Sequence, residues 1–325
     1  MRSLTSWLTP MLVILAALGY GPGRAAAEPA LPHHVPWGPV ENLAGILPHV
    51  IDFRGTPPGA NDWNCKPSAA HPEPVVLISG TSGGPAQNYR YISPLLANNG
   101  YCVFTLTYGI DPSTVAGMLG GLSLPGHADM RAVAANELAP FIDRVLAATG
   151  AERVDLIGHS QGTVMPRWYI NVLGGHAKVA KSVNITPLWN GSTLLGLNHL
   201  YHALNGIGLG PVTDAVVGIF SKSVLDFLSG SDYLNTVNAG DPFPASIEYT
   251  NIMTRYDEAV IPYTSGMAPA APNITNIVVQ DACPADFSEH IFMAADPIVG
   301  QHILNALDPA HAEPIDCAGV PRNSG

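Results

Sequence analysis

The sequence predicts an α/β domain: a mostly parallel central sheet with helices on both faces. Three observations carry that prediction. From Pro74 to Leu307, short apolar runs of strand length alternate with segments of helical spacing, the pattern left by successive strand–helix–strand units. One run, Arg153-Val154-Asp155-Leu156-Ile157, passes directly into Gly158-His159-Ser160-Gln161-Gly162 and then into a helical stretch, Thr163 to Leu173. A chain of 325 residues with 47% hydrophobic content is long enough for one large domain with a sizeable core.

Residues 1–27 read as a secretory signal peptide. Arg2 supplies the positive charge, Met11 to Leu18 the apolar core, and Ala25-Ala26-Ala27 before Glu28 a small-residue cleavage site. The apolar run is shorter than the ~20 residues that span a bilayer. Residues 28–64 are rich in Pro, Gly and Trp without a sustained period, and read as an extended arm on the domain of residues 65–325. Pro74-Val75-Val76-Leu77-Ile78 is the first buried strand, followed by the glycine-rich loop Ser79 to Gly84. That loop lacks the Lys of a phosphate-binding P-loop and the spacing of a dinucleotide fingerprint. A helix is expected over Asn88 to Asn99, a strand over Tyr101 to Leu106, a weakly patterned loop over 111–126 and a helix over Asp129 to Thr149, ended by Gly150. Further strands are expected over Ser182 to Thr186, Ile247 to Met253 and Asn276 to Val279, and a last helix from the Asp296-Pro297 cap to about Leu307.

An apolar helical insertion is expected at about 190–240. Between Leu194 and Asn235 the only charges are Asp214, Lys222, Asp226 and Asp232. Val212, Val216, Ile219, Phe220 and Phe227 fall at helical spacings after Pro211. This is more apolar surface than one helix needs for docking. It reads as a lid or cap over an acyl pocket, or else as an ordinary buried insertion.

Strand, Gly-x-Ser-x-Gly, helix is the nucleophile elbow of an α/β-hydrolase, in which a tight turn presents the serine at the end of the sheet. A serine hydroxyl needs a base within hydrogen-bond reach and a third group to fix the base. The order in this fold is serine, acid, histidine. Asp257 stands just beyond the strand that follows the insertion, and His290 between the last strand and the last helix. Glu258, Asp281 and Asp286 compete for the acid role, and His302 and His311 for the base. His159 lies inside the elbow and is expected to point away from the serine. The backbone N–H groups of Thr81, after the first strand, and of Gln161, next to Ser160, are the expected oxyanion donors.

These residues are similar to the secreted bacterial lipases of the class 2 family. The matching pieces are Pro74 to Thr81, Gly100 to Phe104, Gly158 to Gly162, Tyr249 to Ile252, Arg255 to Glu258, Asp281 to Pro284 and Glu289-His290. The resemblance spans roughly residues 65–310. It implies ester hydrolysis with Ser160, Asp257 and His290 as a triad. One departure stands out: such lipases usually carry His-Gly-Thr at the oxyanion loop, and here Ser79 replaces that histidine.

Four cysteines suit an oxidising compartment and allow three pairings. Cys65–Cys102 and Cys283–Cys317 are favoured because each joins segments near in sequence, and the resemblance supports the first. No Cys-x-x-Cys or His-rich cluster suggests zinc, and no cofactor is called for. A net charge of −11 argues against nucleic acid or an anionic membrane as an electrostatic partner. The expected partner is a lipid or other acyl-ester substrate, met by a secreted monomer that touches a lipid interface transiently. An acyltransferase on the same triad, or a non-catalytic lipid-binding protein, are the competing readings.

Overall fold

The computed structural model describes residues 32–36, 41, 52–121, 123–194 and 197–318. The signal peptide expected at 1–27 and much of the arm expected at 28–64 lie outside the described residues. Six strands form one sheet: β1 (Val75–Ile78), β2 (Val103–Thr105), β3 (Val154–His159), β4 (Val179–Ile185), β5 (Glu248–Met253) and β6 (Ile274–Val278), in the order β2-β1-β3-β4-β5-β6. Every neighbouring pair is parallel. The strands are the predicted ones with shifted ends. β1 and β3 are buried along their whole length, as apolar runs covered on both faces require.

Helices cover both faces: α1 (Pro85–Asn88), α2 (Ile92–Asn98), α3 (Met130–Val133), α4 (Ala139–Thr149), α5 (Gln161–Asn171), α6 (Leu197–Gly206), α7 (Gly210–Phe220), α8 (Lys222–Phe227), α9 (Asp232–Val237), α10 (Val279–Ala282) and α11 (Pro297–Leu307). A π-helical turn, Ala134–Leu138, joins α3 to α4, so the predicted stretch 129–149 is one rod. Asp129 caps it, accepting from the N–H groups of Arg131 and Ala132. Gly150 ends it in the left-handed region at φ 80°. One apolar core lies between the sheet and the α3–α4–α5 side, built around Phe104, Leu138, Met165 and Tyr233. The other lies under α2 and α11, built around Leu77, Tyr91, Leu95 and Val299.

Two expectations are corrected. The predicted helix Asn88–Asn99 is two short helices separated by a turn at Tyr89–Tyr91. The break follows from side-chain demands: the Asn88 oxygen accepts from the Gly80 N–H at 2.8 Å, and the Tyr89 hydroxyl donates to the Ile78 carbonyl at 2.6 Å. The predicted stripe running from Val212 to Phe227 is also broken. Ser221 is extended at φ −164°, ψ 122°, so α7 and α8 are separate helices. Val212, Val216, Ile219 and Phe220 are exposed, whereas Phe227 is buried in the core.

Both favoured disulfides are present, Cys65–Cys102 and Cys283–Cys317, with Cα–Cα separations of 5.7 and 5.3 Å. Among the described residues no helix is long and apolar enough to cross a membrane.

The chain leaves β1 for β2 on one side, then returns to lay β3 on the other side of β1. The crevice beyond the carboxyl ends of β1 and β3 is therefore the point where strand order reverses, the place where open α/β sheets hold ligands.

Candidate active site

Ser160 sits in that crevice, one residue past β3 and one before α5. Its backbone lies at φ 53°, ψ −123°, a region that non-glycine residues rarely enter and that stores strain. Its N–H is held by the Ile185 carbonyl at 3.0 Å. Both glycines of the pentapeptide are required by contact. A Cβ on Gly158 would lie 2.2 Å from the Gly162 carbonyl oxygen, and a Cβ on Gly162 would lie 1.9 Å from that of Ile78.

The carboxyl ends of β5 and β6 deliver the other two predicted residues. Asp257 follows β5, and His290 lies in the loop between α10 and α11. His290 Nε2 is 2.9 Å from Ser160 Oγ, and His290 Nδ1 is 2.9 Å from Asp257 Oδ1. The carboxylate can only accept, so Nδ1 holds the ring proton and Nε2 turns its lone pair to the serine hydroxyl. Asp257 Oδ1 also accepts from the N–H groups of Ala259 at 3.0 Å and Val260 at 2.7 Å. The Asp257 side chain is 1% exposed, so its charge is held by these donors and not by solvent.

The rival residues go elsewhere. Glu258 accepts from the His290 backbone N–H at 3.2 Å, Asp281 pairs with Arg255, and Asp286 caps the Ser288 N–H at 2.7 Å. His302 is buried within α11, and His311 pairs with Asp308. His159 turns away from the serine as predicted. Its Nε2 meets the His290 carbonyl at 2.9 Å and fixes the backbone of the histidine loop from below. Burial, then the nearby His290, pulls its pKa down to about 3, so the ring is neutral near pH 7.

Thr81 and Gln161 lie together at the mouth of the crevice. The Thr81 hydroxyl donates to the Gln161 side-chain oxygen, tying the β1 loop to the start of α5. Neither backbone N–H has an acceptor among the described residues. Ser79, the departure from the family pattern, is buried with its hydroxyl unpartnered, while its carbonyl accepts from the Tyr108 hydroxyl at 2.5 Å.

Sequence reasoning missed His127. Its ring is buried between two hydroxyls, with Nε2 2.8 Å from Ser82 Oγ and Nδ1 2.9 Å from Ser221 Oγ. It bridges the β1 loop to the first turn of α8, where the Lys222 N–H also donates to the His127 carbonyl at 3.0 Å. A lone histidine between a weakly patterned loop and the following helix carries no signal of this, because its partners lie 45 and 94 residues away.

A cavity of about 530 Å³ opens above Ser160. Gly80 to Gly83 together with Gln87, Asn88, Arg90 and Tyr91 form one wall, and Ile291, Phe292, Ala294 and Ala295 form an apolar wall opposite. No described residue of the insertion at 190–240 lines it. A larger cavity of about 860 Å³ lies among α6–α9 and the start of α3, walled by Asp129, Arg131, Asp214, Lys222 and Asp226. Its chemistry is that of ion pairs, including Arg131 to Asp226 at 2.6 Å. The smaller cavity is the one that meets a serine–histidine pair.

A sequence profile of the family described as Lipase (class 2) matches residues 72–301. Among solved structures, Aspergillus fumigatus lipase B superposes with a TM-score of 0.57 at 16% identity. The match covers 81% of this chain and 57% of that one, so this chain spans little more than half of that relative's length. Bacillus licheniformis lipase BlEst2 in its mature form gives a TM-score of 0.49 at 13% identity, covering 74% of this chain and 94% of that one. The fold is that of the α/β-hydrolases.

Proposed function

The chain belongs to the class 2 lipase family, and from that premise we propose that it is a carboxylic ester hydrolase in which Ser160, His290 and Asp257 perform the cleavage. Ser160 Oγ attacks the ester carbonyl while His290 Nε2 takes its proton. Asp257 holds the ring tautomer and stabilises the imidazolium that forms. The N–H groups of Thr81 and Gln161 receive the oxyanion; one such donor typically contributes ~10²–10³ in rate. The tetrahedral adduct collapses, His290 returns the proton to the departing alcohol, and an acyl-enzyme remains. Water, activated by His290, releases the acid. The observation that carries this reading is the continuous chain from Asp257 through His290 to Ser160 at 2.9 and 2.9 Å beneath an open cavity.

The substrate is a lipid or other acyl ester. We assign residues 190–240 as a cap whose exposed Leu200, Ile207, Val212, Val216, Ile219 and Phe220 rest transiently on a lipid surface. Residues 1–27 act as a signal peptide, and the mature protein is a secreted monomer stapled by its two disulfides. The test is hydrolysis of p-nitrophenyl esters of increasing chain length by the wild type and Ser160→Ala. Activity that is lost in the variant and rises with chain length supports the whole reading. Activity confined to short chains retains the triad and removes the cap's lipid role. Equal activity in both proteins removes Ser160 as the nucleophile.

A further inference from the structure

Arg90 lines the same cavity as Ser160 and His290, in the turn between α1 and α2. Among the described residues no aspartate or glutamate lines that cavity. Arg90 makes no ion pair or side-chain hydrogen bond with any described residue, and its Nε is sealed from solvent without an acceptor. Among the described residues Arg54 also lacks a side-chain partner, but it is exposed and does not line the cavity; the remaining arginines differ. Arg131, Arg153 and Arg255 pair with Asp226, Glu73 and Asp281. Arg144 lies over the Trp63 ring at 3.7 Å, and Arg167 donates through Nη2 to the Val237 and Pro242 carbonyls, although its Nε and Nη1 are also buried without acceptors. Arg90 is the one of these that lines the Ser160 cavity. In a chain with 25 acidic residues and a net charge of −11, an unpaired guanidinium inside the substrate cavity is out of place as a purely structural group. A buried donor without an acceptor destabilises the fold and is normally partnered.

We propose that Arg90 is an anion-recognising subsite of the Ser160 cavity, and that the preferred esters carry a carboxylate or phosphate group. The inference rests on the reading of Ser160 as the nucleophile. A guanidinium presents a planar fork of N–H donors that matches the paired oxygens of such groups. The apolar wall of Ile291, Phe292, Ala294 and Ala295 lowers the local dielectric and strengthens the pairing. The anion belongs either to the acid part of the ester, as in the half-ester of a dicarboxylic acid, or to the alcohol part, as in a phospholipid headgroup.

Two substrate pairs separate these sources. Mono-p-nitrophenyl glutarate is compared with its neutral methyl ester, and a short-chain phosphatidic acid with the matching diacylglycerol. In wild type the anionic member of at least one pair has the higher kcat/KM, by about tenfold or more, the scale of one charge-assisted hydrogen bond. The pair that shows the preference identifies the source. Arg90→Gln lowers the ratio of anionic to neutral kcat/KM by about tenfold, Arg90→Lys restores part of it, and added salt reduces it in wild type. Absence of a preference in both pairs, or a preference unchanged in Arg90→Gln, overturns the subsite. Should Arg90→Gln fail to fold, a wild-type preference indifferent to salt overturns it equally. Neutral-ester hydrolysis that is abolished by Ser160→Ala, with no anionic preference, removes the subsite alone. Hydrolysis that survives Ser160→Ala removes the triad reading as well.

Discussion

Replacing Asp257 by Asn tests how the acid acts. In the serine protease example the equivalent change allows the wrong histidine tautomer and lowers kcat about 10⁴-fold. Here one oxygen, Oδ1, accepts from His290 Nδ1 and from the N–H groups of Ala259 and Val260. In Asp257→Asn the two backbone donors select the amide oxygen for that position, because an amide nitrogen there would face three donors. The oxygen still accepts from Nδ1–H, so the productive tautomer survives and only the negative charge is lost. A pair of unit charges ~4 Å apart contributes about 4 kcal/mol at an effective dielectric near 20. The amide dipole restores part of this, leaving roughly 3 kcal/mol, or about 10² in kcat/KM. Asp257→Ala removes the acceptor for all three donors and loses about 10⁴. The assay is steady-state hydrolysis of a soluble p-nitrophenyl ester by both variants. A loss of 10⁴ or more in Asp257→Asn refutes the argument that the backbone donors orient the amide. A loss below tenfold in Asp257→Ala refutes Asp257 as the acid.

Gly162→Ala places a Cβ 1.9 Å from the Ile78 carbonyl oxygen and 2.7 Å from that of Ser79; backbone cannot yield as a side chain can, so urea denaturation will show a loss of at least ~3 kcal/mol, or the variant will be insoluble. His127→Leu strips the Ser82 and Ser221 hydroxyls of a buried partner, and the loosened β1 loop lowers kcat by about tenfold with a smaller change in KM; His127→Asn recovers part of the loss. Asp155 is buried 3.6 Å from Lys181, and burial raises its pKa to about 7. Because the folded value lies above the unfolded one, this group's contribution to stability falls as pH rises through the window from about 4 to about 7. The melting temperature of Asp155→Asn relative to wild type therefore rises between about pH 4.5 and about pH 8, and a constant difference contradicts the assignment.

Much of the site was legible because the elements that carry it are set by local sequence. The elbow needs a strand, two glycines and a helix in sequence, and those residues are contiguous. Asp257 closely follows β5, and His290 lies in the stretch between the last strand and the last helix, so a parallel sheet brings both to one edge. What escaped depends on segments that meet only in space. The His127 bridge, the unpaired Arg90 and the wall formed by Ile291 to Ala295 require knowing which loops face each other across the crevice. The insertion was legible as apolar helix but not in its faces. Periodicity across Ser221 assumed one continuous helix, and an extended residue there turns Phe227 inward while Phe220 stays exposed.

The central claim is that Ser160 carries the acyl group between two half-reactions. The most direct measurement is to quench the enzyme in acid during turnover of p-nitrophenyl butyrate, digest it, and locate the added butyryl mass. The account predicts a single acylated peptide containing Ser160, absent in Ser160→Ala and scarce in His290→Ala. A butyryl group on another residue, or rapid turnover by Ser160→Ala, would contradict it.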